Sequence, residues 1–370
     1  SPFGFCQRQK PIKIQKAKTD KNKKIIMKKN TKILVIADDL TGCGDIGYWG
    51  IDYGLSQKIF CEFKNNIQIN QNITLINANT RFKNPKTAEQ KIKKIANWAT
   101  TKNFNFDFIF KKLDSTLRGN WIEENDAIIE IFNLKNLPII SAYPEYFRTT
   151  KNGFQYVNNQ LLENTEYSSD KISHIPTMIK NKSKFADKMT IFNAENNKEI
   201  ENITKQNINE KIFAGTAKFF GEILKQKYNQ ISRFEARLFA RNDRTKKYQK
   251  IIIVAGSRNS ITKKQLKYID KYKNNENILI VKSPDNYIEN YDLKNLMDGL
   301  KNINLNDSLI ISCGGDTSMA FCKKFKINEL TIKQKIDTGI VLCETNKNFD
   351  LILKSGGFGK NDFLLQTANQ

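Results

Sequence analysis

Short apolar runs rich in β-branched residues recur along the chain, and each gives way to a polar or glycine-rich turn. Ile33–Ala37 is the first, and Lys58–Phe63, Asn72–Asn77, Phe106–Lys111, Leu137–Ala142, Met189–Asn193 and Ile212–Ala214 follow it. Short apolar runs of this kind fit the buried strands of a parallel sheet. Between them the period lengthens. Thr87–Thr100 sets Ile92, Ile95, Ala96 and Ala99 on one face of a helix. Gly47–Leu55, Trp121–Phe132 and a segment opening at Gly215 and running through Leu224 also read as helices. A hairpin-like segment begins at Gly153.

Residues 231–249 are polar and basic, and they mark a domain boundary. Beyond them Ile251–Ala255, Ile278–Val281, a run opening at Ser308, and Leu351–Lys354 repeat the strand pattern, with a helix starting near Thr262. The pattern predicts an α/β protein of two domains, 27–235 and 248–370, each a largely parallel sheet flanked by helices. Residues 1–26 show no steady periodicity. They are expected to be a disordered leader, or an extension upstream of Met27.

Composition narrows the function classes. With 370 residues, 39% of them hydrophobic, the chain can bury two ordinary cores. No apolar run approaches the ~20 residues of a membrane helix. The six cysteines, Cys6, Cys43, Cys61, Cys313, Cys322 and Cys343, form no CxxC pair and read as scattered reduced thiols, which points to the cytoplasm. His174 is the only histidine, so a His-based metal site or a Ser-His-Asp triad is excluded unless His174 itself serves. A lone histidine is more often structural, and it is read so here.

The formal charge of +23 raises the question of nucleic acid. The lysines, however, are spread over most of the chain alongside abundant asparagine and isoleucine, and aromatics are not interleaved with them as a stacking platform requires. The charge is therefore expected to be diffuse. Duplex DNA should bind no tighter than the micromolar range at physiological salt, as read by titration. A salt-resistant nanomolar complex with a defined sequence would contradict this.

Candidate chemistry gathers at strand ends, where open α/β sheets bind ligands. The first strand ends in Asp38 and Asp39, with Thr41, Gly42, Gly44 and Asp45 behind them. Adjacent residues alternate faces on a strand, so one aspartate can turn to a ligand while the other braces the loop. The plain alternative is a strand-to-helix turn with an aspartate N-cap. A further polar cluster, Asn77–Arg81, ends another strand. Lys112, Asp114, Ser115, Thr116, Arg118 and Asn120 follow Phe106–Lys111. Lysine and arginine suit carboxylate or phosphate, whereas aspartate, serine and asparagine suit hydroxyls, and a sugar acid presents both kinds of group. Arg148, Thr149 and Thr150 lie past Leu137–Ala142. In the second half, Gly256–Thr262, Gly314–Thr317 and Ser355–Gly359 are small-residue turns at strand ends. Three such turns in one domain point to one polyanionic ligand held on backbone N–H groups. None of them matches a P-loop or G-x-G-x-x-G.

Taken together and in order, these segments resemble the four-carbon acid sugar kinase family. Ile36–Asp45 is similar to its opening aspartate motif, and Lys112–Asn120 carries its Lys-x-Asp-Ser-Thr-Leu-Arg-Gly-Asn motif at every position. Tyr143–Asn158, Ala255–Gln265, Gly314–Thr317 and Lys354–Gly359 follow in the expected sequence, so the resemblance spans about residues 33 to 364. The chain departs from the pattern in a compact C-terminal half, in Asn193 where aspartate is usual, and in Phe147-Arg148 where Gly-Arg is usual.

The resemblance implies an N-terminal sugar-acid-binding domain, a C-terminal nucleotide-binding domain and an active site in the cleft between them. It implies a cytoplasmic ATP-dependent kinase of carbohydrate metabolism that phosphorylates the 4-hydroxyl of threonate, erythronate or an oxo-tetronate. The alternatives are a kinase for another small polyhydroxy acid, or a non-catalytic sugar-acid or nucleotide sensor. Asp39 or Asp38 is the expected base, with Asp114 as the rival. Arg118 and Lys112 are expected on the substrate carboxylate or the migrating phosphoryl group, with Ser115, Arg148 and Thr149 as further substrate contacts. Ser257, Gly314, Gly315, Asp316, Thr317, Gly356, Gly357 and Gly359 are expected to hold ATP. Magnesium should arrive with ATP rather than at a dedicated protein site, with Asp316 a candidate carboxylate. Neither nucleic acid nor membrane is an expected partner, and there is room for a homodimer.

Overall fold

A computed structural model describes residues 31–102, 104–168, 171–228, 248–272, 277–284 and 293–369. The leader and most of the expected boundary at 231–249 lie outside the described residues. In the first half the chain runs β1 (Ile33–Ala37), α1 (Leu40–Gly50), β2 (Gln57–Phe60), β3 (Ile73–Asn77), α2 (Pro85–Thr101), β4 (Phe108–Lys112), α3 (Trp121–Phe132) and β5 (Leu137–Ile140). A small antiparallel sheet follows, β6 (Arg148–Lys151), β7 (Phe154–Val157) and β8 (Gln160–Leu161). The half closes with α4 (Ile175–Lys182), β9 (Met189–Ile191), α5 (Asn197–Asn207), β10 (Ile212–Gly215) and α6 (Ala217–Lys227). The second half holds β11 (Lys250–Ala255), α7 (Ser260–Tyr272), β12 (Ile278–Lys282), α8 (Leu293–Asp298), β13 (Ser308–Cys313), α9 (Gly315–Lys324), β14 (Glu329–Asp337), β15 (Ile340–Thr345), β16 (Phe349–Lys354) and α10 (Phe363–Ala368).

The apolar runs pair as their composition requires. β1 is flanked in parallel by β3 and β4, and all five of its residues are buried. In the second half β11, β13 and β16 are likewise parallel neighbours. The two sheets are joined edge to edge. β14 pairs antiparallel with β2 on one side and with β15 on the other, which gives one sheet of 13 strands, ordered β12-β11-β13-β16-β15-β14-β2-β3-β1-β4-β10-β5-β9. One apolar cluster runs through both halves, from Ile33 and Phe213 to Phe321 and Leu353.

Helix starts follow local chemistry. Asn84 caps α2 by accepting from Thr87 N–H at 2.8 Å, with Pro85 at the first turn, where its missing N–H costs nothing. Helix α1 begins at Leu40, earlier than its sequence suggests, because Asp39 caps it by accepting from Gly42 N–H at 2.7 Å. Such a cap contributes about 1 kcal/mol. Its glycines serve close packing rather than turns. A Cβ on Gly47 would lie 2.0 Å from Ile332 Cδ1, so α1 sits against β14 at a distance only glycine permits. His174 is structural, its Nδ1 lying 2.7 Å from Thr177 Oγ1 and its ring 4.7 Å from that of Phe154.

Candidate active site

Three strand ends of the first half converge on one guanidinium. β1 ends in Asp38 and Asp39, β3 leads to Arg81, and β4 leads to Asp114 and Arg118. Arg81 donates to Asp38 through Nε at 2.7 Å and Nη2 at 2.9 Å. It donates to Asp39 through Nη1 at 2.9 Å and Nη2 at 3.1 Å, and Nη2 lies 3.6 Å from Asp114. Burial opposes ionisation of Asp38, but the Arg81 charge and its hydrogen bonds outweigh it and hold the carboxyl below its ordinary range. Asp39 also accepts the Thr41 hydroxyl at 2.7 Å, so with Arg81 and its cap bond its oxygens take four donors. Asp39 is thus a helix cap and part of a cavity wall at once, whereas Asp38 is outside the lining.

Asp114 is held as firmly. Arg118 donates to it through Nε and Nη2, both at 2.8 Å, and the Thr116 hydroxyl donates at 2.5 Å. Against the cost of burial, Arg118 and then Arg81 hold the Asp114 carboxyl well below its usual value. Asp45 contrasts with both. Its nearest polar partners are the Tyr143 hydroxyl at 3.4 Å and Lys112 Nζ at 3.6 Å, and burial pushes its pKa up to about 6 despite the lysine.

A cavity of about 830 Å³ is lined from both halves of the chain. The first half contributes Asp39, Lys112, Asp114, Ser115, Arg118 and Arg148 from the residues singled out by sequence. The second contributes Ser257, the whole of Gly314–Thr317, and Gly356 and Gly357. Thr149 is outside the lining; it sits in β6 opposite Tyr156. Gly359 is outside it too, in a left-handed turn (φ +85°) beside Phe363. Arg148 keeps its place in the wall although Phe147 stands where the resembled family has glycine. Phe147 adopts φ +57°, a left-handed conformation costing roughly 1–2 kcal/mol. Arg148 donates to the Tyr146 carbonyl, while its buried Nε has no hydrogen-bond partner among the described residues.

The halves touch closely here. A Cβ on Gly315 would lie 2.1 Å from Asp39 Oδ2, so the first turn of α9 abuts the Asp39 carboxylate. Asp316, next along, has its pKa raised by burial and then by the Asp39 charge. Tyr146 stacks on Phe358 at 4.1 Å and donates to the Thr338 carbonyl at 2.7 Å. Arg81, Asp45 and Tyr167 also line the cavity, although sequence reasoning gave none of them a role, and so does Phe358, inside the Ser355–Gly359 turn. Arg81 and Asp45 were visible only as members of polar clusters at strand ends. Tyr167, with the Arg118 and Arg148 guanidinium carbons 5.8 and 5.7 Å from its ring centre, carried no signal.

Residues 33–213 match a family model described as a sugar-binding N-terminal domain, and residues 290–364 match one described as a nucleotide-binding C-terminal domain. The chain is 30% identical over 140 residues to the D-threonate kinase of Salmonella typhimurium, covering 38% of this chain and 33% of that protein. It is 28% identical over 142 residues to the D-erythronate kinase of Heliobacterium modesticaldum, covering 38% of this chain and 32% of that one. The chain thus matches about a third of the length of these relatives. The fold is similar to the crystal structure of a Salmonella typhimurium protein described as a putative tRNA synthase, with a TM-score of 0.69 at 16% identity, over 91% of this chain and 98% of that one. Among the described residues no helix is long and apolar enough to cross a membrane.

Proposed function

From its membership of the four-carbon acid sugar kinase family, to which this chain belongs, we propose that it transfers the γ-phosphoryl group of ATP to the 4-hydroxyl of a four-carbon sugar acid, such as threonate, erythronate or an oxo-tetronate. The observation that carries this reading is one cavity lined both by Lys112, Arg118, Arg148 and Asp39 and by the turns at Ser257, Gly314–Thr317 and Gly356–Gly357.

ATP is the phosphoryl donor, and the donor chemistry of the second half suits it. Gly314–Thr317, at the start of α9, line the cavity, and helix starts suit phosphates through their free N–H groups; the position of a Cβ on Gly357 is open, with nothing nearer than 3.6 Å. Among the described residues no group of three or more His, Cys, Asp or Glu side chains is arranged to hold a metal. Magnesium would enter on the ATP phosphates, neutralising their charge, with Asp316 as the carboxylate at hand. The acid substrate lies against the first half. Arg148 has a spare buried N–H for its carboxylate, Lys112 and Arg118 neutralise the carboxylate or the migrating phosphoryl group, and Ser115 takes a hydroxyl. Asp38, Asp39 and Asp114 hold the two arginines of the cluster in place. Phosphoryl transfer asks a protein chiefly for such positioning and charge neutralisation.

The reading is tested by ADP release from ATP in the presence of D- and L-threonate, D- and L-erythronate and 3-oxo-tetronate, alongside shorter and longer polyhydroxy acids. Acid-dependent turnover with a four-carbon member is expected. Turnover confined to other acids, or none, would overturn it.

A further inference from the structure

Five carboxylates line the cavity: Asp39, Asp45, Asp114, Asp316 and Glu166. An attacking hydroxyl needs one of them to accept its proton. Asp39 has four donors on its two oxygens, and Asp114 is forked by Arg118 and bonded by Thr116. A carboxylate so engaged gains little from a proton and must break bonds to take one. Asp316 belongs to the turn proposed for the nucleotide, and Glu166 is exposed. Asp45 differs from all four. It is 4% exposed, yet it reaches the cavity wall, and its two oxygens meet only loosely placed partners, Tyr143 and Lys112.

Resting on the kinase reading above, we infer that Asp45 is the proton acceptor for the attacking hydroxyl. As the substrate oxygen forms its bond to the γ-phosphorus of the nucleoside triphosphate, the bond from that phosphorus to the β,γ-bridging oxygen breaks. The nucleoside diphosphate leaves with that electron pair, and the hydroxyl proton passes to Asp45 Oδ1 or Oδ2. Lys112, 3.6 Å away, keeps the carboxylate ionised before transfer and compensates the charge around it. The charged and titratable groups facing Asp45 are Lys112 at the end of β4, Asp39 before α1, and Tyr143 and Tyr146 beyond β5. Burial, opposed by Lys112, sets the group to change protonation at about 6. It is then mostly ionised at pH 7 and lost as a base as pH falls through that value.

The test is the pH profile of kcat in wild type, Asp45→Asn and Asp45→Glu, with nucleotide and acid affinities measured in parallel. Wild type should show an acid limb near pH 6. Asp45→Asn is nearly isosteric, so it should keep its melting temperature and ADP affinity, lose about 10²–10⁴-fold in kcat, and lose the limb. Asp45→Glu should restore part of the rate together with a shifted limb, an outcome a merely structural aspartate would not give. An active wild type whose Asp45→Asn variant turns over at a near wild-type rate with the limb intact would overturn the inference alone. A wild type that phosphorylates none of the acids overturns the kinase reading and the inference with it.

Discussion

Replacing Arg81 with methionine is expected to cost about 3–5 kcal/mol of folding stability, because it leaves buried carboxylates without their shared cation. Arg81 itself is 10% exposed at its side chain, and it ties together the ends of β1, β3 and β4. Asp38 and Asp114 lie below their ordinary pKa range in the folded state. A depressed carboxylate contributes stability that is present above its unfolded pKa and lost as pH falls through the folded one. The deficit of the variant should therefore be largest near neutrality and shrink in acid, where the unpaired carboxyls can take protons. Activity should fall by roughly 10²–10³-fold even where the variant is folded, as for loss of one aimed donor in a water-poor site. Arg81→Lys should not rescue it, since an ammonium cannot bond two carboxylates in a fork. Urea unfolding at neutral and acid pH, with kcat/KM beside it, checks both parts. A methionine variant with wild-type stability and rate would contradict the role given to Arg81.

The second large effect is expected at Gly315. Its missing side chain matters for two reasons that meet at one point. The backbone at the start of α9 is the proposed seat of the nucleotide phosphates, and a Cβ there would lie 2.1 Å from Asp39 Oδ2. Gly315→Val should thus raise the KM for ATP by blocking the approach to the N–H groups. It should also push Asp39 out of its bonds with Arg81, Thr41 and Gly42. Displacement of a positioned group by about 1 Å costs on the order of 10²-fold, so kcat should fall as well. Gly357→Ala separates the two causes. Its new methyl carbon would meet nothing nearer than Asn259 Nδ2 at 3.6 Å, so it should raise the KM for ATP without loss of folding stability. Steady-state kinetics of both variants with ATP varied provide the check. Unchanged ATP kinetics in Gly315→Val would remove the nucleotide from this turn.

Most strands were legible because a buried parallel strand is a short, nearly continuous apolar run, and nothing else in this lysine-rich chain looks like it. The α3 helix has the bounds expected from sequence, Trp121–Phe132. Helix α1 was placed late because its glycines look like a turn, when they instead allow α1 to lie against Ile332 and its neighbours. The antiparallel pair β14 and β15 was not foreseen. Glu329–Asp337 has acids at its ends and sets Thr331 and Lys333-Gln334-Lys335 between Leu330, Ile332 and Ile336, so its alternation is diluted, and only its pairing with β2 makes one sheet of two. The Lys112–Asn120 motif was readable as a site because its chemistry is dense in sequence. Arg81 was not, because its importance comes from three strand ends that are distant in the chain and adjacent only in the sheet. Asp45 was hidden for a related reason. What distinguishes it from Asp38, Asp39 and Asp114 is the scarcity of close donors around it, and no sequence records that.

The most direct test of the central claim is the structure of the product. The protein is incubated with ATP and the four-carbon acid that supports the fastest turnover, and the phosphorylated acid is examined by phosphorus–proton correlation NMR. One new phosphate ester is expected, coupled to the protons on carbon 4 and formed in equal amount to ADP. ADP formed with no ester, or a phosphate carried on carbon 2, carbon 3 or the carboxylate, would contradict it.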